Sequence, residues 1–178
     1  MPRVALVVGH NFQKPGYFSE ILGESEYFFW SAFTEEWGEY IGVDVFKHDI
    51  MGGYTQRQRE TAILTADYDL VFELHFNAAE SPQANGCEAY YYFNNQTSKT
   101  LAALFCELFS NVSGIKNRGE KPLYNKNQNG FGFVNETKGH AILLEPFFAS
   151  NEIDCSYFYE DEFATTLKEV IKYFVDKY

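Results

Sequence analysis

Residues 69–78 read Asp-Leu-Val-Phe-Glu-Leu-His-Phe-Asn-Ala. The stretch Leu70–Leu74 is short, rich in β-propensity residues and nearly free of polar groups. It runs straight into two polar types, His75 and Asn77. A run of this length and composition predicts a strand buried on both faces, over residues 69–75, as in a parallel sheet covered by helices. In such sheets, ligands gather beyond the carboxyl ends of the strands. His75 and Asn77 therefore fall where chemistry is expected.

The pattern repeats on either side. Upstream, Val4–Val8 is a second apolar run, stopped by Gly9 and followed at once by His10. From Glu26 onward, Phe29, Trp30, Phe33, Trp37, Tyr40 and Ile41 recur at helical spacing. Ser25 is placed to cap that helix and Gly42 to end it. Residues 43–46 read as a further strand and residues 57–66 as a short helix. Downstream, Asn85-Gly86 signals a turn into an aromatic-rich strand over residues 87–93. Residues 97–112 carry Leu101, Leu104, Phe105, Leu108 and Phe109, an amphipathic helix. Residues 113–139 are rich in Gly and Asn and predict a loop with a short strand near residues 131–134. Residues 141–145 form another apolar strand, and residues 157–178 predict a closing helix. Strands alternating with helices imply an α/β domain with a twisted, mostly parallel central sheet between helical layers. No repeat or linker divides residues 1–178, so one domain is expected.

Composition narrows the function. Of 178 residues, 46% are apolar and 19% aromatic, enough to build a core and to argue against disorder. Fourteen basic residues stand against 25 acidic ones, a formal charge of −11 that argues against a nucleic-acid partner. One local exception is the group Lys116, Arg118, Lys121 and Lys126, readable as a solvated loop or as a cationic rim for a carboxylate-bearing substrate. The loop of residues 116–138 is accordingly the candidate contact for that substrate. Cys87, Cys106 and Cys155 are odd in number and widely spaced, which fits reduced thiols rather than a disulfide framework or a thiolate metal site. The first residues lack the apolar core and cleavage site of a secretory signal, and no segment reaches the length of a membrane span.

The polar groups converge. Three candidate strands end in His10, His75 and Glu145, and a helix start carrying Glu24 and Glu26 belongs to the same edge. Two histidines and a carboxylate form a common ligand set for a catalytic zinc with one open position, and a further carboxylate supplies a base. Glu145 ends an apolar run, where a carboxylate needs a partner. A single such residue is more often structural; the convergence of all of them suggests a metallohydrolase. His48 and His140 fall away from this edge.

At these residues the chain resembles the zinc-dependent N-acetylmuramoyl-L-alanine amidases of the amidase-3 type. Val7-Val8-Gly9-His10 is similar to the family's first strand and Gly-His motif. Residues 56–59, Gln-Arg-Gln-Arg, resemble its Leu-x-x-Arg helix opening. Residues 73–78 resemble Ser-x-His-x-Asn-Ala, and residues 86–91 resemble Gly-x-Glu-x-Tyr-Tyr. Residues 143–151 look like the strand that carries the family's catalytic Glu, leading into a Phe-x-Ser/Thr-Asn turn. The five fall in order over nearly the whole chain. Asn11 and Phe12 depart from the small residues usual after Gly-His, and so does Pro146-Phe147 after the Glu.

The resemblance implies a zinc-amidase or zinc-exopeptidase-like fold. It implies one zinc held by His10, Glu26 and His75, with Glu24 as the alternative middle ligand, and Glu145 as general base and acid. Asn77 is either a partner of His75 or the substrate, or merely a turn residue. The implied reaction cleaves the amide between N-acetylmuramic acid and L-alanine, with peptidoglycan as the partner. A related zinc peptidase or deacylase, or a non-catalytic wall-binding or regulatory domain, are the competing readings. A monomer is expected, made in the cytoplasm without a signal peptide and acting on the cell wall after release of the phage endolysin type.

Overall fold

The structure is a computed structural model, and it describes residues 2–48 and 52–178. In chain order the elements are β1 (Val4–Val8), β2 (Phe18–Ser19), β3 (Glu24–Ser25), α1 (Glu26–Ile41), β4 (Asp44–Phe46), α2 (Tyr54–Leu64), β5 (Leu70–Leu74), β6 (Cys87–Tyr92), α3 (Gln96–Ser113), β7 (Asn117–Leu123), α4 (Phe131–Glu136), β8 (His140–Glu145), α5 (Glu152–Tyr157) and α6 (Glu160–Lys177). Six strands form one sheet in the order β4-β1-β5-β8-β6-β7, and β2 and β3 make a separate small ribbon. All pairings in the large sheet are parallel except β6 with β8. The mostly parallel α/β expectation is met.

Strand alternation sorts the core onto the two faces. Leu6, Val8, Phe72, Leu74, Ile142 and Leu144 point into the larger core, packed by Trp30 and Phe33 of α1, Phe105 and Phe109 of α3, and Phe163 of α6. Ala5, Val7, Val71, Ala141 and Leu143 face the smaller core, with Phe133 and Val134 of α4. The aromatic surplus goes mainly to the first face. There, Trp30, Phe147, Phe158 and Phe163 pack edge-on or tilted at 4.4–6.5 Å between ring centroids. Edge-on contacts satisfy the ring quadrupoles while excluding water. The central strands are thus packed on both faces.

Three expectations need correction. Residues 113–139 are more ordered than their composition suggests, containing strand β7 and helix α4 where a loop with a short strand near residues 131–134 was expected. β7, Asn-Arg-Gly-Glu-Lys-Pro-Leu, pairs only with β6 and is half exposed, so it needs no apolar run. Edge strands commonly carry Lys and Pro, as here. The expected closing helix is two helices, α5 and α6, separated at Phe158, whose side chain turns in among the core aromatics. Ser25 occupies the residue before α1 but makes no side-chain capping bond. Gly42 does end α1, in the left-handed conformation at φ 81°. Cys87, Cys106 and Cys155 are free thiols, the first two buried and 3.9 Å apart. Among the described residues, no helix is long and apolar enough to cross a membrane.

Candidate metal centre

β1, β5 and β8 are mutually parallel neighbours, so their carboxyl ends open on one edge. His10 lies just past β1. It is the one non-glycine described at positive φ, 67°, a backbone conformation that costs energy and turns its ring back over the edge. His75 follows β5, its amide held by Leu144 O at 3.0 Å. Glu26 opens α1 and is held there by the ribbon preceding it, its own amide donating to Tyr17 O.

The three side chains meet. Glu26 Oε2 lies 3.0 Å from His10 Nε2, and Glu26 Oε1 lies 2.8 Å from His75 Nδ1. Glu26 Oε1 also accepts from the Phe76 amide at 3.1 Å. Ligand atoms of His10, Glu26 and His75 all fall within 4.8 Å of one another. Glu24, two residues earlier on β3, is not in this group. The backbone has been kept small around it. A Cβ on Gly9 would lie 2.6 Å from His75 Nε2, and one on Gly16 would lie 2.6 Å from Glu26 Oε2.

Electrostatics ties the cluster together. Burial raises the Glu26 carboxyl, but hydrogen bonds and charge from His10 and His75 outweigh it and bring it down to about 2. Burial lowers His75, and its bonds to Glu26 and Glu73 reverse this and hold it well above the ordinary imidazole range. Two imidazole nitrogens and a carboxylate converging in this way fit the donor set of an open tetrahedral zinc site. The fit extends outward: Glu73 Oε2 sits 3.3 Å from His75 Nε2, the ring nitrogen that Glu26 does not face. A carboxylate on the outer nitrogen fixes ring orientation and raises ligand basicity.

Glu73 went unrecognised in the sequence, although an acid between Phe72 and Leu74 in a buried strand signals a partner. Alternation puts Val71, Glu73 and His75 on one face, and Leu143 and Glu145 point the same way from β8. The Glu145 side chain makes no hydrogen bond among the described residues. Burial pushes its carboxyl up to about 8; His75 opposes this, and the charges of Glu26 and Glu88 add to it. Asn77 does not bond His75. Its Nδ2 donates to Glu88 Oε1 at 2.7 Å, where Tyr90 also donates, while Arg118 Nε holds Glu88 Oε2 at 2.6 Å.

His10, Glu26, Glu73, His75 and Glu145 all line one cleft of about 600 Å³, together with Arg57 and Gln58 of α2 and residues 128–130 of the loop before α4. Of the 116–138 segment, only residues 123 and 128–130 reach the cleft. Arg118 is taken up by Glu88, and Lys116, Lys121 and Lys126 are not among the lining residues, so of the two readings of this group the cationic rim is not formed. His48 is buried against Glu60 and Thr61, and His140 lies at the opposite end of β8.

Known proteins share this frame. The catalytic domain of CwlV, an N-acetylmuramoyl-L-alanine amidase from Bacillus (Paenibacillus) polymyxa var. colistinus, superposes with a TM-score of 0.75 over 98% of both chains at 23% identity. The CwlD amidase of Clostridioides difficile, solved with the GerS lipoprotein, does so with a TM-score of 0.77 over 98% of both chains at 21% identity. In sequence, the N-acetylmuramoyl-L-alanine amidase LytC of Bacillus subtilis (strain 168) is 30% identical over 105 residues, covering 58% of this chain. The chain matches only 20% of the length of LytC. The amidase-3 model, described as N-acetylmuramoyl-L-alanine amidase, matches residues 4–177, from the first residue of β1 to the last of α6. With the whole sheet and both histidine-bearing strand ends inside that match, the chain belongs to the amidase-3 family of N-acetylmuramoyl-L-alanine amidases.

Proposed function

We propose that this chain hydrolyses the amide joining N-acetylmuramic acid to L-alanine in peptidoglycan, with one zinc held by His10, Glu26 and His75 and with Glu145 carrying the proton. The observation that bears most weight is the meeting of three ligand side chains with a fourth, unbonded carboxyl in one cleft. Bound zinc supplies Lewis acidity to the attacking water and to the amide carbonyl. Glu145 takes a proton from that water as its oxygen bonds to the carbonyl carbon. It then returns the proton to the alanine nitrogen as the C–N bond breaks. Water is consumed, and a lactyl carboxylic acid, which loses its remaining proton to solvent, and a free alanine amine are released.

The surroundings of Glu145 suit a group that gains and loses a proton. A carboxylate already saturated by donors would be a poor base, as Glu88 illustrates: with Asn77, Tyr90 and Arg118 bound to it, its carboxyl is held below the ordinary range despite burial. Glu73, aimed at His75, holds the ring rather than the proton in flight. Glu145→Gln is expected to keep the zinc and lose turnover of purified wall by at least 10²–10⁴-fold, the usual weight of a positioned base. Wild-type turnover in that variant would refute the role given to Glu145.

A further inference from the structure

The lining of the cleft carries two polar side chains without matching partners. Arg57 is 8% exposed, and its guanidinium makes one hydrogen bond among the described residues, from Nη1 to Gly52 O at 3.3 Å. It forms no ion pair there, unlike Arg3 with Asp44 and Arg118 with Glu88. Gln58, next to it on α2, is 4% exposed, and its Oε1 is buried with no hydrogen-bond partner. Both line the cavity that holds His10, Glu26, His75 and Glu145, and Arg57 is the one Lys or Arg among its lining residues. A guanidinium has five donors in a fork that matches a carboxylate, and leaving most of them unused in a buried place is costly. An orphaned amide oxygen carries a similar penalty.

We propose that Arg57 and Gln58 form a subsite for the stem peptide, with Arg57 gripping a free carboxylate and Gln58 accepting from a neighbouring amide N–H. The inference rests on the amidase reading of the cleft. Charge decides which side of the scissile bond is held. With its lactyl carboxyl tied up in the amide, the muramoyl side is neutral, so carboxylates belong to the peptide. Size decides how far along the peptide it lies. A cavity of this volume is roughly 8 Å across, about the reach of two extended residues. The alanine carboxyl is itself consumed in the next peptide bond, which leaves the side carboxylate of the second residue. Arg57 is thus a specificity-determining residue that separates stems carrying a carboxylate at this place from those carrying a carboxamide.

The test uses zinc-loaded protein and two probes, N-acetylmuramoyl-L-alanyl-D-glutamate with its γ-carboxyl blocked as the methylamide, and the same molecule with the α-carboxylate also converted to carboxamide. The wild type is expected to favour the acid in kcat/KM by roughly tenfold to a hundredfold, the worth of hydrogen bonds to a charged group. Arg57→Met should bring the ratio close to one. Gln58→Leu should lower both probes alike and keep the ratio. Arg57→Lys, which keeps charge but not the fork, should retain part of the preference and serves if Arg57→Met does not fold. A ratio that stays at the wild-type value in the Arg57 variants, or a wild type indifferent to the two probes, would overturn the proposal. Calorimetric binding of both probes to the Glu145→Gln protein separates this from the reaction. If neither probe is cleaved by the wild type, the amidase reading fails. A preference for the acid that disappears with Arg57 would then still uphold the subsite, and equal or absent binding would sink it.

Discussion

Replacing Glu145 by Gln in the metal-free protein should raise stability, by an amount that grows with pH. Its carboxyl is pushed from 4.5 up to about 8, chiefly by burial, and no hydrogen bond offsets that burial. At about 1.36 kcal/mol per pH unit, full ionisation in the folded state costs about 5 kcal/mol more than in the unfolded chain. Glu145 is only partly covered and faces the cleft, and water there trims the figure to about 2–4 kcal/mol. The sign follows from proton counting. Between pH 4.5 and about 8 the folded protein keeps a proton that the unfolded chain has released, so stability falls as pH rises through that window. Gln has no proton to lose. The stability difference between variant and wild type should be near zero at pH 4.5, climb steadily, and level off above pH 8. Urea unfolding of both proteins, freed of metal, at half-unit steps from pH 4.5 to 9 measures this directly. Glu26 and Glu73 titrate in both proteins and largely cancel in the difference. A difference that is flat with pH, or a variant less stable than wild type at pH 9, would refute the placing of Glu145 as a buried, unbonded acid.

Two further outcomes concern the metal ligands and their support. Glu26→Ala should weaken zinc binding by more than a hundredfold in competition with a chelator, whereas Glu24→Ala should leave it unchanged; the reverse would exchange the two residues. Glu73→Gln should keep the fold, by circular dichroism, and lower zinc affinity about 10–100-fold, the usual cost of losing a partner on the outer ring nitrogen. Unchanged affinity would reduce Glu73 to a packing role.

What could be read from the sequence was what is written in local pattern. β1, β5 and β8 are buried on both faces, so each is a largely apolar run, broken in β5 only by Glu73, with an abrupt polar end. The ends, His10, His75 and Glu145, therefore stood out. α1 and α3 carry apolar residues at helical spacing because each covers one face of the sheet. β7 escaped because a half-exposed edge strand has no need of apolar periodicity, and its Gly and Lys resemble a loop. α4 escaped because it spans six residues, too few to show a period. The sequence favours Glu26 over Glu24 but leaves the alternative open: the choice depends on where the β2–β3 ribbon hands over to α1, and element boundaries are the least legible feature of a sequence. Arg57 lies on α2, a helix so polar that nothing local distinguishes a buried cleft residue from a solvated one. Only the fold, by packing α2 against α4 and beside the cleft, gives that arginine its environment.

The account stands most directly on one combined measurement. Zinc content and wall-degrading activity should be determined on the same purified protein, before and after chelation, with the newly formed ends identified chemically. One zinc per chain, chelator-sensitive activity, and new N-terminal alanine without new reducing sugar ends is the predicted result. Protein that binds no stoichiometric zinc, or that binds it and leaves wall amides intact, would contradict the catalytic centre proposed for His10, Glu26, His75 and Glu145.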